Sequence, residues 1–198
     1  MGKPEKLLNA FRLFDAANAE DPNKEEAEGK SYPKELLYAM RMSGKLDEFA
    51  PHASEALQLT ARCQHIRRWE IPRESYDMDR TGYLKWRQDL KKFHAAKATE
   101  ILDSIGYPRE ITDRVAFLLQ KKKLRRDPET QTLEDVICLV FLQYYLEPFM
   151  EKHPENKLID ILRKTWGKMS DEGRDAALRL PLSENSRRLI TKAIDGQT

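Results

Sequence analysis

Cysteine is scarce in this chain, with two residues in 198, Cys63 and Cys138, both inside apolar helical patterns and without CxxC spacing. That argues against a disulfide framework and leaves small buried thiols in a reducing cytosol as the expectation, so a cytoplasmic protein is expected. Long hydrophobic runs are missing too. The longest, Val136 to Leu142, is far too short to cross a bilayer, and the opening MGKPEKLLNAFRLFDAANAEDPN has no apolar signal core. A soluble protein without a membrane partner is expected. Met1-Gly2-Lys3-Pro4 lacks the Ser or Thr of a myristoylation signal. No charge sign dominates: 35 Lys and Arg stand against 33 Asp and Glu, a net charge of +2. Recognition of anions must therefore come from local clustering, and nucleic acid is not the expected partner. No GxxxxGK loop, HExxH helix, serine-centred nucleophile elbow or internal repeat is present.

Helical periodicity is what the chain has in quantity. Its 40% hydrophobic content suits one well-packed domain over residues 1–198, with no second core. Leu7, Leu8, Phe11 and Phe14 mark a first helix within 1–23, ended by Asp21-Pro22-Asn23. Residues 24–31 are charged and predict an exposed loop. Pro33 then opens a helix bearing Leu36, Leu37, Met40 and Leu46, and a third runs from Ser54 to Arg68 with His65 near its end. After an irregular stretch from Ile71 to Arg80, Thr81 is the expected cap of a long helix carrying Tyr83, Trp86, Leu90 and Phe93, stopped by Gly106. Pro108 starts a shorter helix that runs into the basic segment Lys121 to Arg126. Thr132, Glu134 and Asp135 begin the most apolar helix, Val136 to Phe149. Three smaller helices follow in a C-terminal extension over 154–198, with Ser170 and Ser183 as caps. No alternating pattern requires a strand. The expectation is an all-α, single-domain bundle of about nine helices.

Functional groups concentrate in ARCQHIRRWEIPRESYDMDRTGYLKWR, from Ala61 to Arg87. His65, at a helix end before an irregular loop, can serve as acid, base or metal ligand, and Glu70 is its expected catalytic companion. A structural histidine and a salt-bridging Glu70 are the plainer alternatives. Arg67, Arg68, Arg73, Arg80 and Arg87, with Lys91, offer donors matched to phosphate or carboxylate, and Trp69, Tyr83 and Trp86 offer walls on which a planar group or guanidinium stacks. Lys121 to Arg126 reads as a solvated helix end. Trp166-Gly167-Lys168-Met169-Ser170 contains a KMS fragment like that of class I aminoacyl-tRNA synthetases, but no nucleotide-binding α/β pattern accompanies it, so that reading is rejected.

The blocks FDAANAEDPN, ARCQHIRRWEIPR, GYLKWR, QTLEDVICLVFL and KTWGKMS, in this order, resemble the uncharacterised family labelled domain of unknown function 4202. The resemblance places Asp15, Asn18, Asp21, Asn23, His65, Arg68, Trp69, Glu70, Pro72, Arg73, Trp86, Arg87, Glu134 and Asp135 in motif blocks. From it follows a common site with Asn18, Asp21 and Asn23 among the substrate-binding residues. The helical layout more distantly resembles the HD superfamily of metal-dependent phosphohydrolases, which implies an HD-like core. In that layout Ile66 replaces the aspartate after the histidine, Tyr38 or Arg41 stands where the first histidine is expected, and Leu139 to Leu142 offers no aspartate. A divalent metal, if bound, has only His65, Glu70, His94, Glu134 and Asp135 to draw on.

Three readings follow. An enzyme acts on a small anionic metabolite, phosphorylated or carboxylated, with His65 and Glu70 sharing the acid/base work. A non-catalytic descendant of a hydrolase scaffold binds an anionic ligand through the same pocket. RNA binds the basic segments, which implies strong salt dependence.

Overall fold

The computed structural model describes residues 3–195, and helices dominate them: ten α-helices against a single two-stranded hairpin. The all-helical class expected from periodicity therefore holds. No helix among the described residues is long and apolar enough to cross a membrane. Contacts group the chain into two compact units, Met1–Lys123 and Leu124–Thr198, so the second begins well ahead of residue 154.

In the first unit, α1 (Glu5–Ala19) lays Leu7, Ala10, Phe11 and Phe14 against α3 (Glu55–Cys63), which presents Leu59 and Cys63. The long α4 (Arg80–Ser104) adds Ala98 and Leu102, and α5 (Arg109–Leu119) adds Val115 and Leu119 to the same cluster. Between α1 and α2 (Lys34–Phe49), the segment expected to be loop forms β1 (Lys24–Ala27) and β2 (Lys30–Pro33), antiparallel, with Lys24 opposite Pro33 and Ala27 opposite Lys30. Its turn residues Glu28 and Gly29 both take positive φ, 51° and 73°, the combination that a two-residue hairpin turn needs. Three of the four residues of β1 are charged, and β2 reads Lys-Ser-Tyr-Pro, so no alternating pattern advertises either strand. Arg41 of α2 pairs with Glu25 of β1 and ties the hairpin down.

Helix α3 ends sooner than its periodicity suggests, and single turns of 3-10 helix follow at Arg68–Glu70 and Arg73–Ser75. The cap of α4 is Asp79, not Thr81: its carboxylate accepts the Gly82 N–H at 2.7 Å, and an ionised acceptor suits a helix N-terminus better than a hydroxyl. Gly106, at φ 69°, closes α4 as expected, with the Tyr107 N–H returning to the Leu102 carbonyl.

The second unit starts with α6 (Pro128–Val140). It begins four residues before Thr132, because Asp127 accepts the Thr130 N–H at 2.9 Å and Pro128 occupies the first turn, where its missing N–H costs nothing. The expected single core helix is broken after Val140 by a π-helical turn, Phe141–Tyr145, before α7 (Leu146–Met150); this division accounts for the tenth helix. Helices α8 (Glu155–Trp166), α9 (Asp171–Leu178) and α10 (Glu184–Asp195) complete the unit, with Ser170 and Ser183 capping the last two as expected. Buried Asp135 accepts Ser170 N–H at 2.8 Å, Ser170 Oγ at 2.7 Å and Gln131 Nε2 at 3.1 Å, and so ties α6 to the start of α9. Both cysteines are free and buried.

Candidate functional site

The functional groups of the first unit converge where α3 gives way to its following turn. Arg67 there adopts φ 51°, a left-handed conformation that costs a non-glycine residue of order 1 kcal/mol. The conformation is held by Asn18, fully buried at the end of α1, whose Oδ1 accepts the Arg67 N–H at 3.0 Å. The turn reverses the chain within one residue, so His65 and Arg68 come to face each other.

Arg68 Nη1 lies 2.9 Å from His65 Nε2, and His65 Nδ1 lies 3.2 Å from Glu35 Oε2. A guanidinium has no acceptor, so Nε2 must be a lone pair and the proton of the neutral ring must sit on Nδ1, donated to Glu35. Tyr38 stacks on the imidazole with ring centroids 4.0 Å apart and planes 10° apart. Beyond it lies His94, whose ring centroid is 5.9 Å away and whose Nδ1 donates to the Ile66 carbonyl at 2.9 Å. That leaves the buried Nε2 of His94 without a hydrogen-bond partner. The Arg68 guanidinium sits 4.8 Å from the centre of the Trp86 ring, and Trp86 is fixed by its Nε1–H on the Ile71 carbonyl at 2.9 Å. Glu35 is placed by its own N–H, which donates to Asp21 Oδ2 at 3.0 Å, while the other Asp21 oxygen accepts from Asn23.

Burial, opposed by the Arg68 charge, raises the Glu35 carboxyl to about 7. Burial holds His65 well below its ordinary value, and the cations Arg68, Lys121, Arg87 and Lys34 each push it further the same way. His94, also by burial first, falls to about 3. His65 is thus a neutral ring in a positive field, with its side chain 22% exposed.

A raised Glu35 means that the folded chain keeps a proton which the unfolded chain gives up between pH 4.5 and about 7. The stability that this residue contributes is full below that window and is lost as pH rises through it. Glu35→Gln carries no such loss. Its stability relative to the parent should rise by about 3 kcal/mol across the window, read from urea melts at pH 4.5 and 7.5. His65 and His94 work with the opposite sign, their contribution falling away as pH drops below 6.5. They are present in both proteins and cancel, to first order, from the difference.

Of the residues expected at the site, His65, Arg68 and Trp86 come together, and the charge of Arg87 bears on His65 while its Nη1 donates to Tyr83 Oη at 3.0 Å. Glu70 does not meet His65, whose two nitrogens are engaged by Glu35 and Arg68. Glu70 is exposed and pairs with Arg67, which also pairs with Glu20 at 2.7 Å and lies over Trp69. Arg73 binds the carbonyls of Tyr76, Asp77 and Asp79, fastening its own loop, and Arg80 is exposed on the first turn of α4. Asn18 and Asp21 are buried, each accepting a backbone N–H that shapes the site from behind, and Asn23 is bound to Asp21. Asp15 pairs with Arg62 at 2.5 Å.

Glu134 and Asp135 belong to the second unit, where Glu134 faces Lys168 at 3.7 Å and Asp135 is bound to Ser170 and Gln131. Among the described residues no group of three or more His, Cys, Asp or Glu side chains is arranged to hold a metal ion. The five candidate ligands thus do not form a ligand set. Lys34, Glu35, Tyr38 and Lys121 were not singled out for this site by sequence. The nearest signal was the position of Tyr38, where the HD layout expects a histidine.

A scan against protein families matches residues 8–190 to Domain of unknown function (DUF4202). The chain belongs to that family, whose description supplies no activity. No curated protein and no solved structure matches the chain.

Proposed function

We propose that the protein binds a small oxyanionic metabolite, phosphorylated or carboxylated, at Arg68 and acts on it by acid/base chemistry at His65, on an HD-like scaffold that has exchanged its metal ligands for a cationic site. One observation carries this reading. Arg68 is half-buried, its side chain's single hydrogen bond goes to a neutral imidazole, Lys34, Arg87 and Lys121 add positive charge around that imidazole, and the Glu35 carboxyl is the acidic group that bears on Arg68. A cation so placed favours an anionic ligand, and a guanidinium fork matches paired oxygens of phosphate or carboxylate. Glu35 supplies the orienting carboxyl: by accepting Nδ1–H it keeps the Nε2 lone pair as the base, while Arg68 and Arg87 stabilise negative charge developing on the substrate.

A panel of phosphomonoesters and phosphodiesters, assayed for product release, tests this. His65→Ala should lower kcat at least about 100-fold with the helical content unchanged. Unchanged turnover would remove His65 from the mechanism. The second reading, a binding protein without catalysis, draws on the occupation of Nε2 by Arg68, which leaves no lone pair facing a substrate in this structure. Saturable ligand binding without product across the panel is its expected signature.

A further inference from the structure

We propose that Arg68 is a latch on His65: an oxyanion arriving at the site takes the guanidinium away from Nε2, so the imidazole lone pair is released only when an anion is bound. This rests on the anion-binding reading above and specifies how that site is regulated. Its basis is the set of contacts that Arg68 makes. Of its five N–H donors, one reaches His65, at 2.9 Å, and the other face contact is the Trp86 ring at 4.8 Å. No carboxylate among the described residues pairs with Arg68 within 4.0 Å.

Hydrogen bonds from a guanidinium to an anionic oxygen are about twice as strong as neutral ones, and bidentate binding aligns two donors in one plane. An oxyanion therefore outcompetes a neutral imidazole nitrogen. The Trp86 ring, 4.8 Å from the guanidinium carbon, offers the cation a favourable surface that does not use up its N–H donors. His65 itself is held in place by Tyr38 on its face and Glu35 on Nδ1, so the ring stays when the latch leaves. The charged and titratable groups bearing on it are Lys34 and Glu35 of α2, Arg68 of the turn, Arg87 and His94 of α4, and Lys121 after α5. Withdrawal of the Arg68 charge towards a bound anion leaves Nε2 free to take a proton. The hand-over exchanges hydrogen bonds alone, and the proton comes from solvent.

Inorganic phosphate is the probe, with calorimetric binding on the full chain and ¹⁵N-histidine NMR. His65→Phe, which cannot accept from Arg68, should bind phosphate about tenfold tighter than the parent, since no internal bond has to be broken. His65→Gln, whose amide oxygen can hold the latch, should bind like the parent. In the parent at pH 6.5, saturation with phosphate should move the His65 Nε2 resonance from the unprotonated to the protonated position. Equal or weaker binding by a folded His65→Phe, or a phosphate-saturated parent with the His65 resonance unmoved, overturns the latch. Should His65→Phe not fold, the resonance alone decides. If the parent and Arg68→Gln alike fail to bind phosphate, the anion site itself falls, and the latch with it.

Discussion

Arg68→Gln should weaken binding of inorganic phosphate by at least about 100-fold, because two charge-assisted hydrogen bonds of roughly 1.5–3 kcal/mol each are lost together with the charge. Isothermal titration at fixed ionic strength reads the change. Arg68→Lys keeps the charge and loses the fork, so it should recover part of the affinity. Neither substitution should lower the melting temperature much. In the parent, no carboxylate among the described residues lies within 4.0 Å of Arg68, and burial outweighs the attraction of the Glu35 charge in pulling the guanidinium below its ordinary value, so removing the cation relieves a desolvation cost. Undiminished phosphate binding in Arg68→Gln would place the anion elsewhere.

Gly82→Ala should destabilise the first unit by about 3 kcal/mol. A Cβ on Gly82 would lie 2.1 Å from the Asp77 carbonyl oxygen and under 3.0 Å from the Asp77 carbonyl carbon and nitrogen, all backbone atoms that cannot rotate away. The same stretch holds the Asp79 cap and the carbonyls that Arg73 binds, so relief would have to displace the start of α4 and with it Trp86. Gly44→Ala is the control. A Cβ there meets nothing within 4 Å, and in the middle of α2 alanine should add up to about 1 kcal/mol. Urea unfolding of both variants, followed by circular dichroism, separates the two signs.

The helices were legible because their apolar spacing is regular: Leu7, Phe11 and Phe14, or Val115 and Leu119, need no tertiary knowledge to be placed on one face. The hairpin was not, because its turn chemistry is a Glu-Gly pair and its short strands carry no apolar alternation. At the candidate site, His65, Arg68 and Trp86 were legible as a dense run of functional groups. Glu35 was not. It stands 30 residues from His65 in sequence and reaches the imidazole only because Asp21 accepts its N–H at the entry to α2. Glu70 looked like the companion of His65 because it is close in sequence, yet the left-handed Arg67 and the short 3-10 turn send it outward to a salt bridge. Local sequence distance misleads where a single residue reverses the chain.

The segment Lys121 to Arg126 carries five cations in six residues, with Lys121, Lys123 and Arg125 at φ 53°, 55° and 71°. Four of those cations, at 122, 123, 125 and 126, are exposed, and the boundary between the compact units falls among them. A protease of trypsin specificity thus meets its preferred side chains on non-helical, solvent-facing backbone, where accommodating the chain in an extended cleft disturbs the least packed structure. Under limiting enzyme the first nick should fall here, before any bond in the long helices, and the masses of the two products would locate the boundary between the two compact units.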